Sequence, residues 1–89
     1  LNVALAVAPG LERLLAIVGA QIGRSGGVVG PDTLAADVAG WNSMAMVDIL
    51  FAVEDAYGVE FTSEQMERVD GVPSLVDILI EAGGVLALN

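Results

Sequence analysis

The chain has 89 residues, enough for one small core, and contains neither Cys nor His, which excludes disulfides, thiolate nucleophiles, zinc sites built on sulfur or imidazole, and a Ser-His triad. Twelve Asp and Glu against three Arg and no Lys give a formal charge of -9, so nucleic acid is repelled and the expected partners are proteins with basic patches. At 55% hydrophobic residues the chain invites a membrane reading, yet the uncharged stretch at 1–11 is about half the ~20 residues a spanning helix needs, and no membrane insertion is expected.

The opening "LNVALAVA" is short and lacks the basic leader of a signal peptide, while the missing initiator Met points to a trimmed or partial chain. Leu11, Leu14, Leu15, Val18 and Ile22 then recur at helical spacing, with Pro9 ahead and Gly23 behind; this describes a first amphipathic helix and its stop signal. From 23 to 40 no period is sustained. So long a connection in so small a domain is expected to serve a purpose, and a helical turn over 33–37 is expected to break it up.

A second helix is predicted from Ser43 to Tyr57. Met46, Ile49, Leu50, Val53 and Tyr57 form one stripe, and Gly58 supplies the terminator. Asp48 and Asp55, seven residues apart, share the opposite, exposed face. Asn42 is a favoured N-cap, and Trp41 before it is placed to pack on Met46. In "FTSEQM", Thr62 and Gln65 form a capping box and Phe61 with Met66 a hydrophobic staple, which predicts a short third helix ending near Val69. Pro73 suits the first turn of a fourth helix carrying Leu75, Ile78 and Leu79, stopped by Gly83 and Gly84. The expected fold is therefore all-α: a small four-helix bundle, one domain over 1–89 with its core at about 11–82, and a long loop between the first two helices.

Several chemistries fail on spacing. An EF-hand count from Asp55 puts Met66 where the bidentate Glu belongs and Tyr57 in place of an oxygen ligand. Glycines 23, 26, 27 and 30 are followed by no Lys and preceded by no strand, so they describe a loop rather than a phosphate cradle. Glu54 and Asp55 diverge by about 100° around a helix and cannot share one reaction centre. Ser43 differs by its place: free N–H groups and the positive end of the helix dipole favour an attached phosphate there. The plain alternative is that Ser43 or Asn42 simply caps the helix. Met44, Met46 and Phe51 are read first as packing residues, as Met and aromatics at helical spacing usually are. Met44 and Phe51 also lie towards the acidic side, where they would form an apolar patch beside Ser43. Trp41 is read as a packing residue.

The stretch "GWNSMAMVDILFAVEDAYGVEF" resembles the acyl carrier protein family, whose hallmark is an Asp-Ser-Leu triplet opening the second helix. Asn42-Ser43-Met44 stands at the triplet, and Val47, Asp48, Glu54, Asp55, Tyr57, Gly58, Val59 and Glu60 fall in step; the likeness continues through "TSEQMERVDGVPSLVDIL". The resemblance implies a carrier that catalyses nothing itself. Ser43 would receive 4'-phosphopantetheine from coenzyme A through a phosphopantetheinyl transferase, and the thiol of the arm would hold an acyl group as a thioester. The acyl chain would shelter in the apolar interior. Acyl-transferring or condensing enzymes with basic patches would dock on Asn42, Met44, Asp48, Phe51, Asp55, Glu60 and Glu64, and the carrier would be a cytoplasmic monomer serving fatty-acid, lipid or polyketide-type synthesis.

Two departures bear on this. Asn42 replaces the family's Asp: it caps equally well without the charge. The resemblance gives that carboxylate a role near the transferase's magnesium ion and basic surface, which points to slower loading; against that, Asn42 places no charge beside an anionic phosphodiester, which points to a loaded form that loses little or even gains. Ala45-Met46 stand where carriers of fatty-acid synthesis are commonly more polar or acidic, which suggests a dedicated partner set. A carrier domain cut from a polyketide-type synthase is a close variant. The competing readings are an unmodified acidic helical adaptor, and a hydrolase using Ser43 for which no base is visible.

Overall fold

The computed structural model describes residues 9–23 and 29–83. Four α-helices follow in order: α1, Pro9–Ile22; α2, Ser43–Tyr57; α3, Ser63–Glu67; and α4, Val72–Glu81, with a 3-10 turn at Ala35–Asp37 between α1 and α2. The expected all-α four-helix architecture is what forms, and no strand occurs among the described residues. Pro9 stands at the first position of α1 rather than ahead of it, where its missing N–H costs nothing. The turn in the long loop is shorter than the 33–37 expected, and α3 ends at Glu67, two residues before Val69. Gly84 and the glycines at 26 and 27 lie outside the described residues.

The stripes close on one core. Leu14, Val18 and Ile22 from α1 meet Ile49, Leu50 and Val53 from α2 and Val72, Leu75, Ile78 and Leu79 from α4, with Trp41, Phe61 and Val69 filling the corners. Burying each such aliphatic side chain is worth about 1.5–3 kcal/mol, and the set holds α1, α2 and α4 together. No polar or charged side chain is buried among the described residues, so this core offers shelter and no reactive group. Short α3 contributes no buried residue; it hangs between buried Phe61 and Val69.

The helix ends follow the local signals. Asn42 Oδ1 accepts from the N–H of Ala45 at 2.9 Å, and α2 stops at Gly58, whose φ of 68° is left-handed and disfavours side-chain-bearing residues. In the capping box of α3, Thr62 Oγ1 accepts from the Gln65 N–H at 3.0 Å and Gln65 Oε1 accepts from the Thr62 N–H at 2.9 Å. Contacts between distant residues complete the frame. Arg13 donates to the Ala56 carbonyl at 3.1 Å and its guanidinium lies 5.1 Å from the centre of the Tyr57 ring, placing a cation at the negative end of α2. Burial raises the Tyr57 phenol's pKa, against a smaller lowering by Arg13. Glu54 Oε2 accepts from the Phe61 N–H at 2.7 Å, fixing the turn from α2 into α3. Arg68 binds Glu81 through both guanidinium nitrogens, tying the end of α3 to α4.

Candidate functional site

Because Asn42 is the residue that caps α2, Ser43 is left at the first helical position with no capping task. Its side chain is exposed, and no hydrogen bond engages its hydroxyl among the described residues. The first turn has orphan donors by construction. The Asn42 side chain satisfies the Ala45 N–H and the Asn42 carbonyl the Met46 N–H, which leaves the Ser43 and Met44 N–H groups for an outside acceptor. A phosphate ester on Ser43 Oγ would therefore sit beside two unpaired donors and the positive end of a 15-residue helix. Of the two cap candidates, Asn42 does the capping, as its preference for that position indicated, and Ser43 does not.

Beside Ser43 lies an open depression lined by Ala35, Ala36, Trp41, Asn42, Ser43 and Met46. One wall is the 3-10 turn and the other the start of α2. The indole N–H of Trp41 donates to Met46 Sδ at 3.4 Å, so the predicted pairing of these two forms, with Trp41 buried. No sequence pattern marked Ala35 and Ala36 as part of the site, because they reach it only through the folding of the long loop.

Of the two readings of Met44 and Phe51, packing in the core fails and the outward apolar patch on the acidic side is what forms. Met44 is 75% and Phe51 58% exposed, while Met46 does pack against the core. The reason is angular: Ile49, Leu50 and Val53 already face the core, and Met44 and Phe51 lie on the opposite side of the cylinder. Val47, also exposed, falls between them at i+3, a spacing the sequence showed. Met44, Val47, Asp48, Phe51 and Asp55 thus form one outward stripe, part apolar and part acidic, running from Ser43 towards the far end of α2. Glu60 follows that far end, about 20 Å from Ser43 by the rise of the helix, and Glu64 lies in the first turn of α3; both are exposed. Among the described residues no ion pair engages Asp48, Asp55, Glu60 or Glu64: Arg68 is paired with Glu81, with Glu64 adding to its electrostatic field, and Arg13 is engaged at the end of α2. No described helix is long and apolar enough to cross a membrane.

A model of the family described as phosphopantetheine attachment site matches residues 12–79. The acyl carrier protein of Solidesulfovibrio magneticus is 25% identical over 73 residues, 82% of this chain and 94% of that protein. The solution NMR structure of the holo acyl carrier protein of Geobacter metallireducens superposes with a TM-score of 0.70 at 22% identity, covering 83% of this chain and 85% of the other, a likeness of fold.

Proposed function

This chain belongs to the phosphopantetheine attachment-site family, and from that premise we propose that Ser43 is its attachment residue. It is an acyl carrier rather than a catalyst. The 4'-phosphopantetheine group, when attached, supplies the thiol that this Cys-free chain lacks, and an acyl group is held there as a thioester. The observation that carries the choice of Ser43 is its exposed, unengaged hydroxyl at the first position of α2, with Asn42 doing the capping and two N–H groups facing outward. These donors and the helix dipole would stabilise the anionic diester. Uncharged Asn42 keeps the cap without adding repulsion.

The stripe of Met44, Val47, Asp48, Phe51 and Asp55, extended by Glu60 and Glu64, would present the site to a phosphopantetheinyl transferase and to acyl-transferring or condensing enzymes. Apolar side chains flanked by exposed acids suit partners with a greasy notch inside a basic rim. We place this carrier in the cytoplasm, in fatty-acid, lipid or polyketide-type synthesis, as a single monomeric unit. Co-expression with a broad-specificity transferase and intact-mass measurement tests the assignment: the wild type gains one phosphopantetheinyl group and Ser43→Ala none. A wild type that stays unmodified would instead support an acidic adaptor with the same fold.

A further inference from the structure

The long loop is seated on the link between α3 and α4. The Ala35 N–H donates to the Asp70 carbonyl at 2.9 Å and the Val72 N–H to the Thr33 carbonyl at 2.8 Å, with Leu34 opposite Gly71 in an antiparallel bridge. Gly71 is buried. Its φ of 166° is ordinary extended backbone, so the position does not need glycine for its conformation. It needs glycine for space: a Cβ there would lie 2.7 Å from the Thr33 carbonyl oxygen, 2.8 Å from Leu34 Cα and 2.9 Å from Leu34 Cδ2. The first two are backbone atoms and cannot rotate away.

Ala35 belongs to both places. Its N–H makes the bond to Asp70, while with Ala36 it lines the depression beside Ser43. We propose that Gly71 is a positioning residue for the Ser43 site: its missing Cβ lets the loop close on the α3–α4 link, and that seating sets how far the Ala35–Ala36 wall stands from Trp41, Met46 and Ser43. A side chain at 71 pushes residues 33–35 outward, and the wall follows through the 3-10 turn. The functional part of this inference rests on Ser43 as the attachment point; the geometric part does not.

The first test is made on the unloaded chain by amide NMR. Gly71→Ala shifts the Ala35, Ala36 and Ser43 amides, whereas Ile78→Val, which trims a fully buried side chain further along α4, leaves them in place. Unmoved Ala35 and Ala36 amides in folded Gly71→Ala overturn the proposal. Should Gly71→Ala not fold, hydrogen exchange on the wild type decides: Ala35 and Val72 amides are protected together as one unit, and an Ala35 amide exchanging as freely as open loop overturns it. In loading assays, transferase kcat/KM falls about tenfold for Gly71→Ala, as a misplaced reacting group would cause, and stays within about twofold of wild type for Ile78→Val. Equal rates for the two variants would leave Gly71 a packing residue only. A wild type that cannot be loaded defeats the assignment of Ser43, while the amide readouts still judge the seating.

Discussion

Ser43 and Ser63 occupy the same position in two helices. Each is the first helical residue, and each follows a polar side chain that caps the helix. What surrounds them differs. At α3 the reciprocal bonds of Thr62 and Gln65 close the turn on itself, the helix is five residues long and nothing on it is buried. At α2 the third position is Ala45, which cannot reach back, so the cap is one-sided; the helix is 15 residues long and anchored by Ala45, Ile49, Leu50 and Val53. A depression and an apolar-acidic stripe adjoin Ser43. A capped serine is therefore no site by itself: an open first turn on a rigid helix, beside a surface a partner can grip, is what sets Ser43 apart.

The sharpest way to break this comparison is to remove each hydroxyl. Ser43→Ala abolishes loading and Ser63→Ala leaves it intact, while the stability of both, measured by denaturant unfolding, changes by no more than about 0.5 kcal/mol because neither hydroxyl is buried. Loading that survives Ser43→Ala breaks it. The two faces of α2 come next. Ile49→Ala empties a fully buried position and destabilises by about 2–5 kcal/mol. Phe51→Ala, on the outward face, leaves the unfolding midpoint near that of the wild type but weakens transferase binding by about 2 kcal/mol, as loss of an aromatic anchor does; titration calorimetry reads the difference. The caps are expected to be alike: Asn42→Ala and Thr62→Ala each cost ~1 kcal/mol in denaturant unfolding, while Asn42→Asp keeps the cap and the wild-type stability.

The smallest effect separates the two turns by pH. Glu81, which holds Arg68 and Gln65 at the α3 end, has a pKa lowered first by its hydrogen bonding with Arg68 and then by that with Gln65. Its stabilisation is present above the ordinary Glu value of 4.5 and is lost as pH falls through the depressed folded value. Both side chains are largely in solvent, so the effect is small. Unfolding of wild type and Glu81→Gln should differ slightly at neutral pH and converge in acid; a constant offset would count against the pair.

The helices and their caps were legible because the signals are local: Asn42 to Ala45, Thr62 to Gln65 and the stop at Gly58 each lie within one turn of chain. Ser43 was legible as a position but not as a free hydroxyl, since both it and Asn42 are good cap residues and only coordinates show which one bonds. For Met44 and Phe51 residue type favoured the core while their angle around α2 pointed to the acidic side, and the angle decided. Beyond reach were contacts that join distant segments. Arg13 at Ala56, Arg68 at Glu81 and the bridge of Leu34 with Gly71 depend on how the loop and helices pack. Gly71 stands as the N-cap residue of α4, but its close approach to Thr33 and Leu34 joins segments far apart in the chain and leaves no local mark in the sequence.

Fragment-ion localisation on the chain treated with coenzyme A and a phosphopantetheinyl transferase tests the central claim most directly. The account requires the added mass to fall on Ser43 alone, with Ser63 unmodified in the same molecules. Mass on Ser63, or on no serine, would contradict it.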